Sequence, residues 1–178
     1  MKKRIFVAIM ASKSIKERVL AWRKTYYDFP FRWIKAKNLH LTLFPPWEEQ
    51  NPEVISKKLQ ILTNQIHPFE LNFNYIEYGP SLRKARLIWL RGEDNPDLLK
   101  LQTNISNLLK GIQKTKNQKE YKPHLTIARF NSRDLKKLPK IHTKIQWKQQ
   151  IGSLALVESV QIERQTEYKI LVKLPFNF

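Results

Sequence analysis

From position 141 to the end the chain leaves no room for a helix. Ile141, Thr143, Ile145 and Trp147 alternate, Leu154 to Ile162 run on as an apolar segment, and Tyr168, Ile170, Val172 and Leu174 alternate after a polar turn. A period of two is that of strands, and strands joined by such short turns pair antiparallel. Upstream, helical and strand periods mix. An apolar strand at 4–10 precedes a helix with Ile15, Val19, Trp22 and Tyr26 on one face, and Leu39 to Phe44 read as the next strand. Asn51-Pro52 and Asn95-Pro96, a cap residue followed by proline, open two more helices. Their apolar faces are Ile55, Leu59, Leu62 and Ile66, and Leu98, Leu101, Ile105, Leu108 and Ile112. Strands are expected at Phe69 to Tyr78, Arg86 to Arg91 and His124 to Phe130. Short crossovers and directly joined strands predict an α+β fold built on antiparallel sheet, not a doubly wound parallel one.

Several function classes drop out at this point. With 4 glycines in 178 residues, neither a dinucleotide fingerprint nor a phosphate-binding Walker loop can be written. The absence of cysteine removes thiolate nucleophiles, disulfides and Cys-rich zinc sites, and is compatible with a reducing cytoplasm, the expected compartment. Lys2-Lys3-Arg4 before Ile5 to Ala11 imitates a signal peptide, but Lys13, Lys16 and Arg18 follow at once, so a buried first strand is expected. No apolar run approaches the ~20 residues of a membrane span, so a soluble protein is expected. The net charge of +18 is unevenly placed: residues 1–40 and 91–150 each carry +9, and the rest is neutral. Two basic blocks of this size favour a polyanionic ligand, although a solvated basic surface has the same composition.

The chemistry lies in a tetrapeptide that occurs twice. His40-Leu41-Thr42-Leu43 and His124-Leu125-Thr126-Ile127 share the order His, apolar, Thr, apolar, and account for two of the four histidines. On a strand, His and Thr at i and i+2 share one face while the aliphatics anchor the other. A lone histidine so placed reads as structural, but a pair does not. If the two strands lie near each other, two imidazoles and two hydroxyls converge as in a site for in-line displacement at phosphorus. One imidazole takes a proton from water, the other delivers one to the leaving oxygen, and the threonines donate to the non-bridging oxygens. That chemistry needs neither metal nor cofactor, and a zinc site is disfavoured because neither motif carries a carboxylate at ligand spacing. His67 reads as a loop residue, and His142, followed directly by Thr143 and Lys144, is left aside.

The doubled His-x-Thr-x signature resembles the two-histidine (2H) phosphoesterases, and within them the RNA 2′,3′-cyclic phosphodiesterases, also called 2′-5′ RNA ligases. Arg32-Trp33 before Asn38 to Leu43, Ala85 to Leu90, Tyr121 to Arg129, Leu156 to Ser159 and Tyr168 to Leu171 extend the likeness over nearly the whole chain. The resemblance implies one domain over 1–178 made of two pseudo-symmetric lobes around a central cleft, and no metal. It implies hydrolysis of a terminal 2′,3′-cyclic phosphate to a 2′-phosphate, with reversible 2′-5′ RNA joining in some members. Carried over, His40 and His124 are the acid/base pair, Thr42 and Thr126 the phosphate donors, and Arg129 a phosphate-binding arginine. By analogy His124 is the base and His40 the acid; spacing alone does not assign them. Plain alternation sets Arg129 on the face opposite His124 unless a bulge intervenes.

One departure stands out. Where the family commonly shows Lys-Phe-Leu-Gly, this chain reads Phe44-Pro45-Pro46-Trp47, and the two prolines are expected to end the strand. Phe44 or Trp47 is a candidate to stack on a terminal base, with core packing as the other reading. Lys114, Lys116, Lys119 and Lys122 are candidate contacts to an RNA backbone, or a solvated loop. RNA ends are the expected partner of a monomer with no obligate protein partner. A non-catalytic RNA- or nucleotide-binding module that uses the same basic cleft is the alternative function.

Overall fold

The computed structural model describes residues 1–112, 121–163 and 165–177. In chain order they form β1 (Lys3–Met10), α1 (Lys13–Arg23), β2 (Arg32–Trp33), β3 (His40–Glu49), α2 (Pro52–Thr63), β4 (Phe69–Gly79), β5 (Leu87–Gly92), α3 (Pro96–Leu108), β6 (His124–Arg129), β7 (His142–Ile151), β8 (Ser153–Ile162) and β9 (Gln165–Pro175). The strands join one antiparallel sheet in the order β7-β4-β5-β6-β3-β1-β8-β9, with β2 added to β6. The predicted α+β class and antiparallel pairing hold. The sheet divides at β6 and β3 into two halves of four strands, and each half begins, at that junction, with one of the His-x-Thr-x strands.

Alternation in β1 separates the two faces of the sheet. Ile5, Val7 and Ile9 enter the main core together with Leu41, Leu43, Leu125 and Ile127, whereas Phe6 and Ala8 lie on the other face with Ala155 and Val157. The helices complete the core: α1 rests on β7, α2 on β8 and β9, and α3 on β3 and α2. Their buried residues are those the 3.6-residue period selects, Ile15 and Val19, Ile55 and Leu59, and Leu98, Leu101 and Ile105. Gln149 of β7 accepts from Ser12 N and donates to Met10 O, each at 3.0 Å, which ties the far edge of one half to the end of β1 in the other.

Local signals work at two of the three helix starts. Ser12 and Asn95 accept from Ile15 N and Leu98 N. Asn51 makes no side-chain cap; just before the helix, Glu49 accepts from the backbone N–H groups of Gln50 and Asn51, both at 2.9 Å. The strand that the prolines were expected to end runs on to Glu49. Between the pairs Val7 with Phe44 and Ile5 with Trp47, β1 advances two residues and β3 three, so the strand passes through both prolines at an irregularity, where proline is tolerated.

Candidate active site

β3 and β6 meet at one register pair, Leu41 with Leu125. Both leucines are 1% exposed, and burying each is worth roughly 1.5–3 kcal/mol, so the core fixes this register. Counting outward antiparallel sets His40 across from Thr126 and Thr42 across from His124, all on the face away from the core. His40, Thr42, His124, Thr126 and Arg129 line a single cavity of about 160 Å³, with Phe6, Ile34, Pro46 and Tyr168 completing its wall.

Arg129 reaches that wall because β6 is bulged. Ile88 pairs with Ala128 and Trp89 with Thr126, so β5 advances one residue while β6 advances two, and Ile127 is the extra one. Ile127 and Ala128 are both buried in the core, and Arg129 is returned to the side of His124. The same irregularity occurs in β3, where Val7 pairs with Phe44 and Ala8 with Thr42, leaving Leu43 as the extra residue. There it has the opposite consequence. Phe44, which plain alternation sets beside His40 and Thr42, is turned into the core at 5% exposure and packs edge-on against Trp47, 5.3 Å away and also 5% exposed. Neither ring is available to a base; Trp47 Nε1 donates to Glu49. Pro46 takes their place at the cavity.

The two imidazoles are held alike. His40 Nδ1 is 2.7 Å from Asn38 O, and His124 Nδ1 is 2.7 Å from Lys122 O, each the carbonyl two residues earlier. A carbonyl only accepts, so Nδ1 carries the proton and Nε2 is the nitrogen free to titrate. Burial lowers both pKa values below the usual 6.5; for His40 the charges of His124 and Arg129 lower it further, while the carbonyl bonds oppose the shift at both. Without an anion both rings are therefore neutral near pH 7.

Their surroundings differ. His124 lies flat on the indole of Trp89, centroids 3.9 Å apart and planes 23° apart. Trp89 in turn lies on Gly79, where any Cβ would stand 2.3 Å from the ring. His40 sits between Phe6 at 4.9 Å and Tyr168 at 5.1 Å, the latter edge-on. Tyr168 is steadied by its neighbour Glu167, which pairs with both Lys35 and Lys37 and so joins the β8–β9 hairpin to the segment that carries Asn38. Asn38 Nδ2 also donates to Thr166 O at 3.3 Å. Across the junction, Tyr121 Oη donates to Thr42 O at 3.0 Å, and beside β6 Gly92 N of β5 donates to Pro123 O at 2.9 Å. Burial pushes the Tyr121 hydroxyl well above its ordinary pKa, so it remains a donor.

Lys122 contributes its carbonyl to His124, and its side chain is not part of the wall. Lys114, Lys116 and Lys119 lie outside the described residues. Trp89, Phe6, Ile34 and Tyr168 were not singled out from the sequence. Phe6 sits in an unbroken apolar run that marks no face, and the stacking of Trp89 on His124 is a through-space contact that leaves no local signature. Among the described residues no group of three or more His, Asp or Glu could hold a metal ion.

The sequence model of the 2′-5′ RNA ligase superfamily matches residues 11–166. The chain belongs to that superfamily. It is 30% identical over 171 residues to the RNA 2′,3′-cyclic phosphodiesterase of Aquifex aeolicus, covering 88% of each chain, and 30% identical over 137 residues to that of Methanocaldococcus jannaschii, covering 75% of each. Its fold matches that of Escherichia coli LigT complexed with NADP+, with a TM-score of 0.74 and 22% identity over all of both chains. The protein is thus a 2H phosphoesterase by family. No helix of the described residues is long and apolar enough to cross a membrane.

Proposed function

We propose that this superfamily member is an RNA 2′,3′-cyclic phosphodiesterase that opens a terminal cyclic phosphate to a 2′-phosphate without a metal ion. The observation that carries the reading is the convergence of two His-x-Thr-x strands and Arg129 on one cavity. His124 Nε2 takes a proton from water as its oxygen attacks phosphorus. The bond from phosphorus to the 3′ oxygen breaks in line, and His40, protonated at Nε2, gives its proton to that oxygen. Since Nδ1 of each ring keeps its proton and its carbonyl partner throughout, the rings need not turn during the cycle. Thr42, Thr126 and Arg129 donate to the non-bridging oxygens as negative charge grows there, the contribution that is commonly largest.

The acid must be charged, yet burial disfavours the charged ring. The substrate supplies the difference: a phosphodiester anion entering the cavity offsets burial and the repulsion of Arg129 and draws a proton onto the His40 imidazole. With the 5′ hydroxyl of a second RNA end in place of water, the same roles give 2′-5′ joining: His124 Nε2 takes the hydroxyl proton as the 5′ oxygen bonds to phosphorus, and His40 protonates the departing 3′ oxygen. The relatives' names place RNA in their reactions, which supports RNA ends as the substrate here. The test is an oligonucleotide with a 2′,3′-cyclic end, incubated with the protein in excess EDTA. Conversion to a 2′-phosphate end is expected; turnover only after metal is restored, or none, would contradict the reading.

A further inference from the structure

Arg32 and Arg129 are register partners on β2 and β6, so both side chains leave the sheet on one face. That face is the cavity's. Arg129 lines the cavity, and so does Ile34, two residues beyond Arg32. Like charges directly opposite on neighbouring strands repel. Among the described residues neither guanidinium has a carboxylate within 4.0 Å. Nearby, by contrast, Lys35 and Lys37 share the carboxylate of Glu167, and Arg91 pairs with Glu77. Two permanently charged, fork-shaped donors side by side, without a counter-charge from the protein, are a layout for an anionic ligand. In the function proposed above, Arg129 serves the reacting phosphoryl group. Arg32 stands next outward, beyond the cavity wall, where it meets an anion one step along the substrate.

We propose that Arg32 binds the phosphate on the 5′ oxygen of the terminal nucleoside, and that it thereby selects polynucleotide ends over free nucleoside cyclic phosphates. This rests on the reading of the cavity as the site of the terminal phosphate. The 5′ phosphate is the next anion along the chain from the reacting group, and it is present whether it continues into RNA as a diester or ends as a free monoester.

Binding of unreactive, product-like probes tests this without turnover. Adenosine 2′-phosphate, adenosine 2′,5′-bisphosphate and the dinucleotide ApA ending in a 2′-phosphate are titrated calorimetrically into the wild type and into Arg32→Gln, an exposed position. The wild type should bind both probes with a 5′ phosphate on the order of ten-fold more tightly than adenosine 2′-phosphate. Arg32→Gln should erase that gain and leave adenosine 2′-phosphate within two-fold, and the salt slope for the dinucleotide should fall by about one. A gain confined to the bisphosphate would overturn selection of polynucleotide ends. No gain in the wild type, a gain that survives Arg32→Gln, an equal loss for all probes, or no binding at all would overturn the assignment of Arg32. A wild type that shows the gain yet opens no cyclic phosphate would instead refute the catalytic reading and leave this site standing.

Discussion

Gly79→Ala is a small change, remote from the reacting atoms along the chain, that should nevertheless disable them. A Cβ at position 79 would stand 2.3, 2.4 and 2.7 Å from Cδ2, Cε2 and Cε3 of Trp89, against 3.4 Å for ordinary contact. Restoring contact means moving the indole about 1.1 Å, from the difference 3.4 − 2.3. The ring is 7% exposed, and its other face carries His124 at a centroid distance of 3.9 Å, so it has little space to yield into. The methyl group therefore acts on the His124 imidazole through the indole. A displacement near 1 Å at a reacting group costs on the order of 10²-fold in rate, and overpacking costs about 1–3 kcal/mol of stability, or roughly 2–4 °C in Tm for each kcal/mol at this size. The assay is kcat on a 2′,3′-cyclic oligonucleotide, with Tm in parallel. Gly79→Ala combined with Trp89→Leu, which removes the clashing ring atoms, should recover stability relative to the single Gly79→Ala change, a non-additive pair. If Gly79→Ala leaves kcat within two-fold and Tm unchanged, the indole does not hold His124 and the reasoning fails.

If the two histidines act as one unit, His40→Ala and His124→Ala should each lose kcat by on the order of 10²- to 10⁴-fold, and the double variant little more; multiplied losses in single-turnover kinetics would contradict this. Because both pKa values are lowered from 6.5, kcat/KM, which reports the free protein, should peak on the acid side of 6.5, and an optimum above 7.5 would contradict the assignment. The same shifts bind fewer protons in the folded than in the unfolded state. The stability they contribute is present above pH 6.5 and is lost as pH falls below it; urea unfolding of His40→Gln should show a weaker loss over that range. Tyr121→Phe removes the hydroxyl that donates to Thr42 O. It should cost about 1–3 kcal/mol in urea unfolding if that carbonyl is left without the partner.

The parts of the site that alternation governs were legible in the sequence, and the parts that a neighbouring strand governs were not. His40, Thr42, His124 and Thr126 sit before either bulge, so the period of two predicts their common face correctly. One residue later both strands slip, at Leu43 and Ile127, and the single cause moves Phe44 from the cleft into the core and Arg129 from the core side to the cleft. A bulge is set by pairing with β1 or β5, which the motif alone does not encode. Helices announced themselves through period and cap, although Asn51, a cap by its place before Pro52, makes no side-chain cap bond. β2, two residues long, has no periodicity to read, yet it sets Arg32 beside Arg129.

The most direct test of the central claim is a crystal structure of the protein soaked with inorganic phosphate. One phosphate ion is expected in the cavity, its oxygens about 2.7–3.1 Å from Nε2 of both His40 and His124 and from the hydroxyls of Thr42 and Thr126. A phosphate that touches the groups of only one strand, with the other imidazole out of reach, would contradict the account.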